Sequence, residues 1–237
     1  MQTNQLGADK VEDTFQRLAA RIAERFPDSN LLGVCRDLTG VAQRTTERAR
    51  ETARPYFALW AMSAIIVIVV LAMAVYIASL LDWQSLEGRP NVYNFMQGID
   101  AFVNLLILTA GGVWFFLTLE NRLKRRAVQR ALFELRSYAH VIDMHQLTKD
   151  PTVILNPGPP TSSSPKRAMT RFELTRYLEY CAEMLSLIAK LAALYAGATT
   201  DSEILAAVNE VESLTNNLGR KIWQKIMILG QLDERGA

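Results

Sequence analysis

Histidine and cysteine are scarce in this chain, two of each in 237 residues, and the scarcity narrows the chemistry the chain can carry. Cys35 and Cys181 have no CxxC spacing and no metal-ligand neighbours, so both read as packed thiols in a reducing compartment rather than a redox pair or a metal site. A Gly-rich phosphate loop and a nucleophile elbow are also missing. Charge of one sign is missing too. Lys and Arg number 26 against 24 Asp and Glu, a net +2, which creates no global field to draw in nucleic acid or anionic substrates. Few aromatic residues lie among the basic ones, so no base-stacking platform is expected. The first fifteen residues hold no apolar run of the kind a secretory signal needs, and their early acids argue against a transit peptide.

The most informative absence is charge between positions 57 and 81. The stretch FALWAMSAIIVIVVLAMAVYIASLL has no formally charged residue. As a helix it would be about 37 Å long, enough to cross a hydrocarbon core of about 30 Å with some tilt. A second uncharged run covers 101–119 and is just long enough to span. Between them, residues 82–97 carry the turn formers Gly88, Pro90 and Asn91, the aromatics Trp83, Tyr93 and Phe95, and a single basic residue, Arg89. The outer flanks are basic. Arg44, Arg48, Arg50 and Arg54 precede the first run, and Arg122, Lys124, Arg125, Arg126 and Arg130 follow the second. By the positive-inside rule both termini are cytoplasmic and the short loop lies outside, with a bacterial plasma membrane the expected location. The arginines before the first run are primarily a topology signal, with anionic headgroup binding a second role.

The flanks read as helices. Val11, Phe15, Leu18 and Ile22 are spaced four, three and four, and Leu31, Leu32, Cys35, Leu38 and Val41 make a second stripe, after which 44–54 is polar all round. Beyond the second span, Val128, Leu132, Leu135, Ala139 and Ile142 continue the helix to about residue 147. Then come Leu174, Leu178, Cys181, Leu185, Ile188, Ala192 and Tyr195, and after them Ile204, Val208, Val211, Thr215, Leu218, Ile222 and Leu229. These heptad-like seams predict a bundle or coiled-coil hairpin. Thr170 with Glu173 and Thr200 with Glu203 suggest capping boxes, and Gly197 a left-handed C-terminal cap. The proline- and serine-rich stretch 148–169 reads as a linker, in which Ser162 to Pro165 is a weak candidate for phosphorylation.

The expectation is therefore an all-α membrane protein. Its parts are a cytoplasmic helical arm (1–56), spans at 57–81 and 98–120 joined by the loop 82–97, a helix continuing through 121–147, the linker, a helical hairpin at 170–230 and a tail at 231–237. Function is expected to be anchoring with self-association or partner docking. The partners would be the lipid bilayer, further copies of the chain and a cytoplasmic protein, with Tyr177, Met184, Trp223 and Met227 as the docking surface. No enzymatic activity, catalytic residue, metal, cofactor or nucleic-acid partner is expected.

Two clusters support competing readings. In the second span Asp100, Asn104 and Gly111 share one face. The simpler account is packing, with Gly111 and Gly112 admitting the small residues of the first span and Asn104 bonding across; the alternative is a cation path lined by Asp100 and Asn104 in an oligomeric ring. Further on, Arg136, His140, Asp143 and His145 form a polar cluster at the end of the first cytoplasmic helix. Its bland role is to tie helices together. A metal-dependent membrane enzyme using His140, Asp143 and His145 comes third, since the i, i+4 histidine pair of known zinc helices is missing.

Overall fold

The structure is a computed structural model and describes residues 7–52, 56–80, 92–151, 162 and 169–236. The described residues are all helix and connecting turn, in six helices with no strand: α1 (Ala8–Arg25), α2 (Asn30–Thr52), α3 (Phe57–Leu80), α4 (Val92–Leu147), α5 (Arg171–Ala196) and α6 (Ser202–Gly236). The chain divides into two compact units, one of Met1–Ala53 with Ala127–Ala237 and one of Arg54–Arg126. The expected turn residues Trp83, Gly88, Pro90 and Asn91 lie outside the described residues, as does nearly all of the linker; Ser162 is exposed.

The first unit is a helical bundle around α5. This helix packs on α6, α1 and α2, and it buries residues on several faces, from Leu174 to Tyr195. Every member of the apolar stripes of α1, α2, the later half of α4, α5 and α6 is buried, so the spacings of three and four place each stripe in one shared core. The N-terminal arm thereby contributes to the same core as the C-terminal helices. Tyr177 and Met184 belong to this core as well, which removes them from the expected docking surface. Their positions fall beside the main seam, and a helix surrounded by neighbours buries more than one stripe.

The N-termini of α5 and α6 are closed by side chains. Thr170 and Glu173 form the expected capping box, with the Thr170 hydroxyl accepting from the Glu173 backbone and the Glu173 carboxylate accepting from the Thr170 N–H. At α6 the cap is Asp201, not Thr200. The helix begins at Ser202, so the Asp201 carboxylate is placed to accept from the N–H groups of Glu203 (2.9 Å) and Ile204 (3.4 Å). Gly197 is right-handed (φ −71°, ψ −15°) rather than left-handed. Its N–H reaches the Ala193 carbonyl, and the next residue closes the turn through a bond from Ala198 to Tyr195.

The polar run at the end of α2 has an inward side after all. Thr45 and Thr46 are buried, the latter donating to the Ala42 carbonyl. Arg44 and Arg48 pair with Glu134 of α4, and Arg50 pairs with Asp9. Arg54 lies outside the described residues.

The second unit contains α3 and the first part of α4. Both helices are long and apolar enough to cross a membrane, and almost none of their surface is covered. Glu120 joins them at one end. This buried carboxylate of α4 accepts from the Tyr56 N–H at the start of α3 (3.0 Å) and pairs with Lys124 (2.8 Å), whose ammonium lies 5.4 Å from the Tyr56 ring centre. A carboxylate at that point satisfies one of the free donors of the helix N-terminus.

Candidate functional site

The polar cluster at the end of α4 divides when folded. Arg136 leaves it to pair with Glu210 of α6 at 3.3 Å. His140 is exposed and His145 half-buried. Asp143 accepts from the Gln146 side chain at 2.5 Å, and buried Gln146 in turn receives the Lys225 ammonium of α6, at 2.6 Å to its side-chain oxygen and 3.1 Å to its backbone carbonyl. Lys225 therefore sits at the C-terminus of α4, where it shares the Gln146 carbonyl with the Lys149 N–H and faces the negative end of the helix dipole. Burial lowers its affinity for a proton, and the nearby Asp150 and Asp143 oppose that effect. Arg171 of α5 likewise fastens α6, donating to the Leu229 and Gly230 carbonyls within that helix.

This arrangement fastens helices. No group of three or more His, Cys, Asp or Glu among the described residues is placed to hold a metal. The two histidines stay apart because five residues advance a helix by about 140°, and no other element brings them together. Cys35 and Cys181 sit fully enclosed, and burial pushes both thiols up to about 12, the state of inert packed cysteines.

In the second unit Asp100 and Asn104 are both exposed. The Asn104 amide donates to the Asp100 carboxylate at 3.3 Å, one turn away on the same helix. Asn104 thus finds its partner within α4 instead of bonding across to α3. A methyl group at Gly111 or Gly112 would meet nothing within 4 Å, so the two glycines do not mark a close helix crossing. Apolar helices gain little by exchanging lipid contacts for each other, which leaves such a crossing without a strong drive.

Sequence reasoning passed over Glu120, Gln146 and Lys225. Glu120 had a visible signal, an acid at the edge of an uncharged run with Lys124 four residues on. The Lys225–Gln146 contact had none, since it depends on how α4 and α6 pack.

On the surface of the bundle, a cleft of about 540 Å³ is lined by Arg21, Glu24, Arg25, Phe172, Arg176 and Tyr180. Arg25 and Arg176 both lie over the Phe172 ring, at 5.1 and 5.5 Å. The cleft's cations are largely answered locally. Arg21 holds Glu183 with both terminal nitrogens and Arg176 holds Glu179, so the network stitches α1 to α5. Compared with known protein families, curated proteins and solved structures, the chain gives no match.

Proposed function

We propose that the chain is a two-pass integral membrane protein whose bundle lies in the cytoplasm of a bacterial cell and serves self-association or docking of a partner protein. The observation that supports it is a contrast in exposure. Val75, Leu108 and Trp114 of the apolar helices are 70–75% exposed, whereas the bundle buries its own apolar residues in the ordinary way. Apolar surface on that scale costs about 25 cal/mol per Å² in water, and a bilayer removes the cost. The flanking basic residues, against a connection with the single basic residue Arg89, support a cytoplasmic side for both termini by the positive-inside rule. Among the described residues the bundle offers fastened helices and no acid, histidine or thiol cluster placed to hold a metal, which supports the anchor and scaffold reading. Asp100 and Asn104 satisfy each other, so the cation-path alternative gains no support from their geometry.

Alkaline carbonate extraction of membranes from expressing cells, followed by flotation, tests the proposal. The chain is expected to stay in the floating membrane fraction. Release into the carbonate supernatant would overturn the proposal.

A further inference from the structure

Opposite its core stripe, the later half of α4 carries exposed apolar residues on a second face. The core stripe runs through Val128, Leu132, Leu135, Ala139 and Ile142, all buried. The second face advances by four, three, four and three through Phe133, Ser137, His140, Met144 and Leu147, all exposed. Phe133, Met144 and Leu147 are 71, 68 and 63% exposed, and Val141 flanks them at 36%. Most of the bundle's large exposed apolar side chains are on this one helix. A sustained alternation of four and three on an outer face is the signature of a helix that meets another helix.

Resting on the membrane proposal, we infer that this face packs against the same face of a second copy, α4 beside α4 in parallel. Two features select that occupant. The stripe covers 15 residues, about 21 Å of helix, and a helix face of that length buries on the order of 400 Å² per copy, roughly half of what a free-standing protein partner usually buries. An interface of that size holds only when the partners are already concentrated and aligned. Copies anchored in one bilayer with the same topology meet both conditions, and the stripe belongs to the same helix as an apolar segment. A two-fold axis along the helices then sets Phe133, Met144 and Leu147 against their own counterparts, an isologous contact built from one patch. Ser137, the smallest residue of the stripe, lies between Phe133 and His140 in this seam.

The test uses the full chain in phosphatidylcholine vesicles, oxidised in air with copper phenanthroline. Ser137→Cys is expected to form a disulfide-linked dimer at least ten-fold faster than Asn216→Cys, an exposed site on α6; the enclosed native thiols contribute little background. Adding Phe133→Asp and Met144→Asp should cut the rate at least ten-fold with unchanged helicity, and Phe133→Ala with Met144→Ala serves if the acidic pair unfolds the chain. Equal rates at 137 and 216, or cross-linking indifferent to both pairs of substitutions, in a chain that resists carbonate would overturn this inference and leave the membrane proposal standing. Release by carbonate would overturn both.

Discussion

Trp114 and Trp223 are both more than half exposed, at 71 and 56%, yet they belong to regions built for different surroundings. Around Trp114 the helix from Ala110 to Leu119 carries no charge and buries none of its residues, and the Thr118 hydroxyl is satisfied within the helix by the Trp114 carbonyl. Around Trp223 the pattern is that of a water-soluble bundle, with Ile222 buried beneath and Gln224 and Lys225 beside it. The same chemistry, apolar side chains on helices, thus yields a core in one unit and an uncovered surface in the other. What separates them is whether charged residues alternate with the apolar ones. Where they do, one face turns inward; where they do not, no face is preferred and the helix is left uncovered.

The contrast can be broken by truncating the same residue type in each unit. Ile188→Ala, in the middle of α5 with no exposure, is expected to lower stability by about 2–5 kcal/mol through lost burial and a residual cavity. Ile107→Ala, 62% exposed on α4, should stay within about 0.5 kcal/mol in detergent unfolding experiments. Comparable losses at both sites would mean that the apolar helices carry a protein core of their own.

A smaller effect sharpens the account of how each unit closes its helix ends. Glu120→Ala removes the acceptor for the Tyr56 N–H and the partner of Lys124, and should cost about 1–2 kcal/mol, the range of a lost N-terminal cap. In the bundle, Asp201→Ala should cost about 1 kcal/mol while Thr200→Ala changes little, read from the thermal midpoint. The reverse order at 200 and 201 would restore the cap expected from the T-x-x-E pattern.

Near neutral pH the smallest effect is that of the two buried thiols, and it grows as the pH rises. Both thiols are held up to about 12 by burial, so the unfolded chain gives up its thiol protons at lower pH than the folded one. Their contribution to stability is complete below the ordinary thiol value of 9.0 and is lost as the pH climbs from there toward about 12. Replacing both cysteines with Ala should flatten that part of the stability curve. At pH 8 a maleimide should modify the native chain slowly and the denatured chain fast.

Much of the helical plan was legible because periodicity acts locally. The stripes of α1, α2, α5 and α6 follow from spacings of three and four, and each stripe is buried as spaced. What could not be read depends on neighbours. Tyr177 and Met184 look surplus to one seam, and only the presence of helices on other sides of α5 makes them core. Thr200 matches a motif, but the first helical residue is one later, and position decides which oxygen reaches the free N–H groups. Of the polar residues singled out, Asp100 and Asn104 do meet, at the i, i+4 distance the helix dictates, whereas His140 and His145 were never on one face. The exposed stripe of α4 was hidden in plain spacing by the stronger core stripe on the same helix.

The central claim, that the exposed apolar unit belongs in a bilayer and the bundle in water, is tested most directly with the two tryptophans. Single-tryptophan chains, with the other three of the four replaced by Phe, would be placed in vesicles whose lipid chains carry bromine. The account predicts blue-shifted, strongly quenched emission from Trp114 and water-like, unquenched emission from Trp223. Unquenched, water-like emission from Trp114 would contradict it.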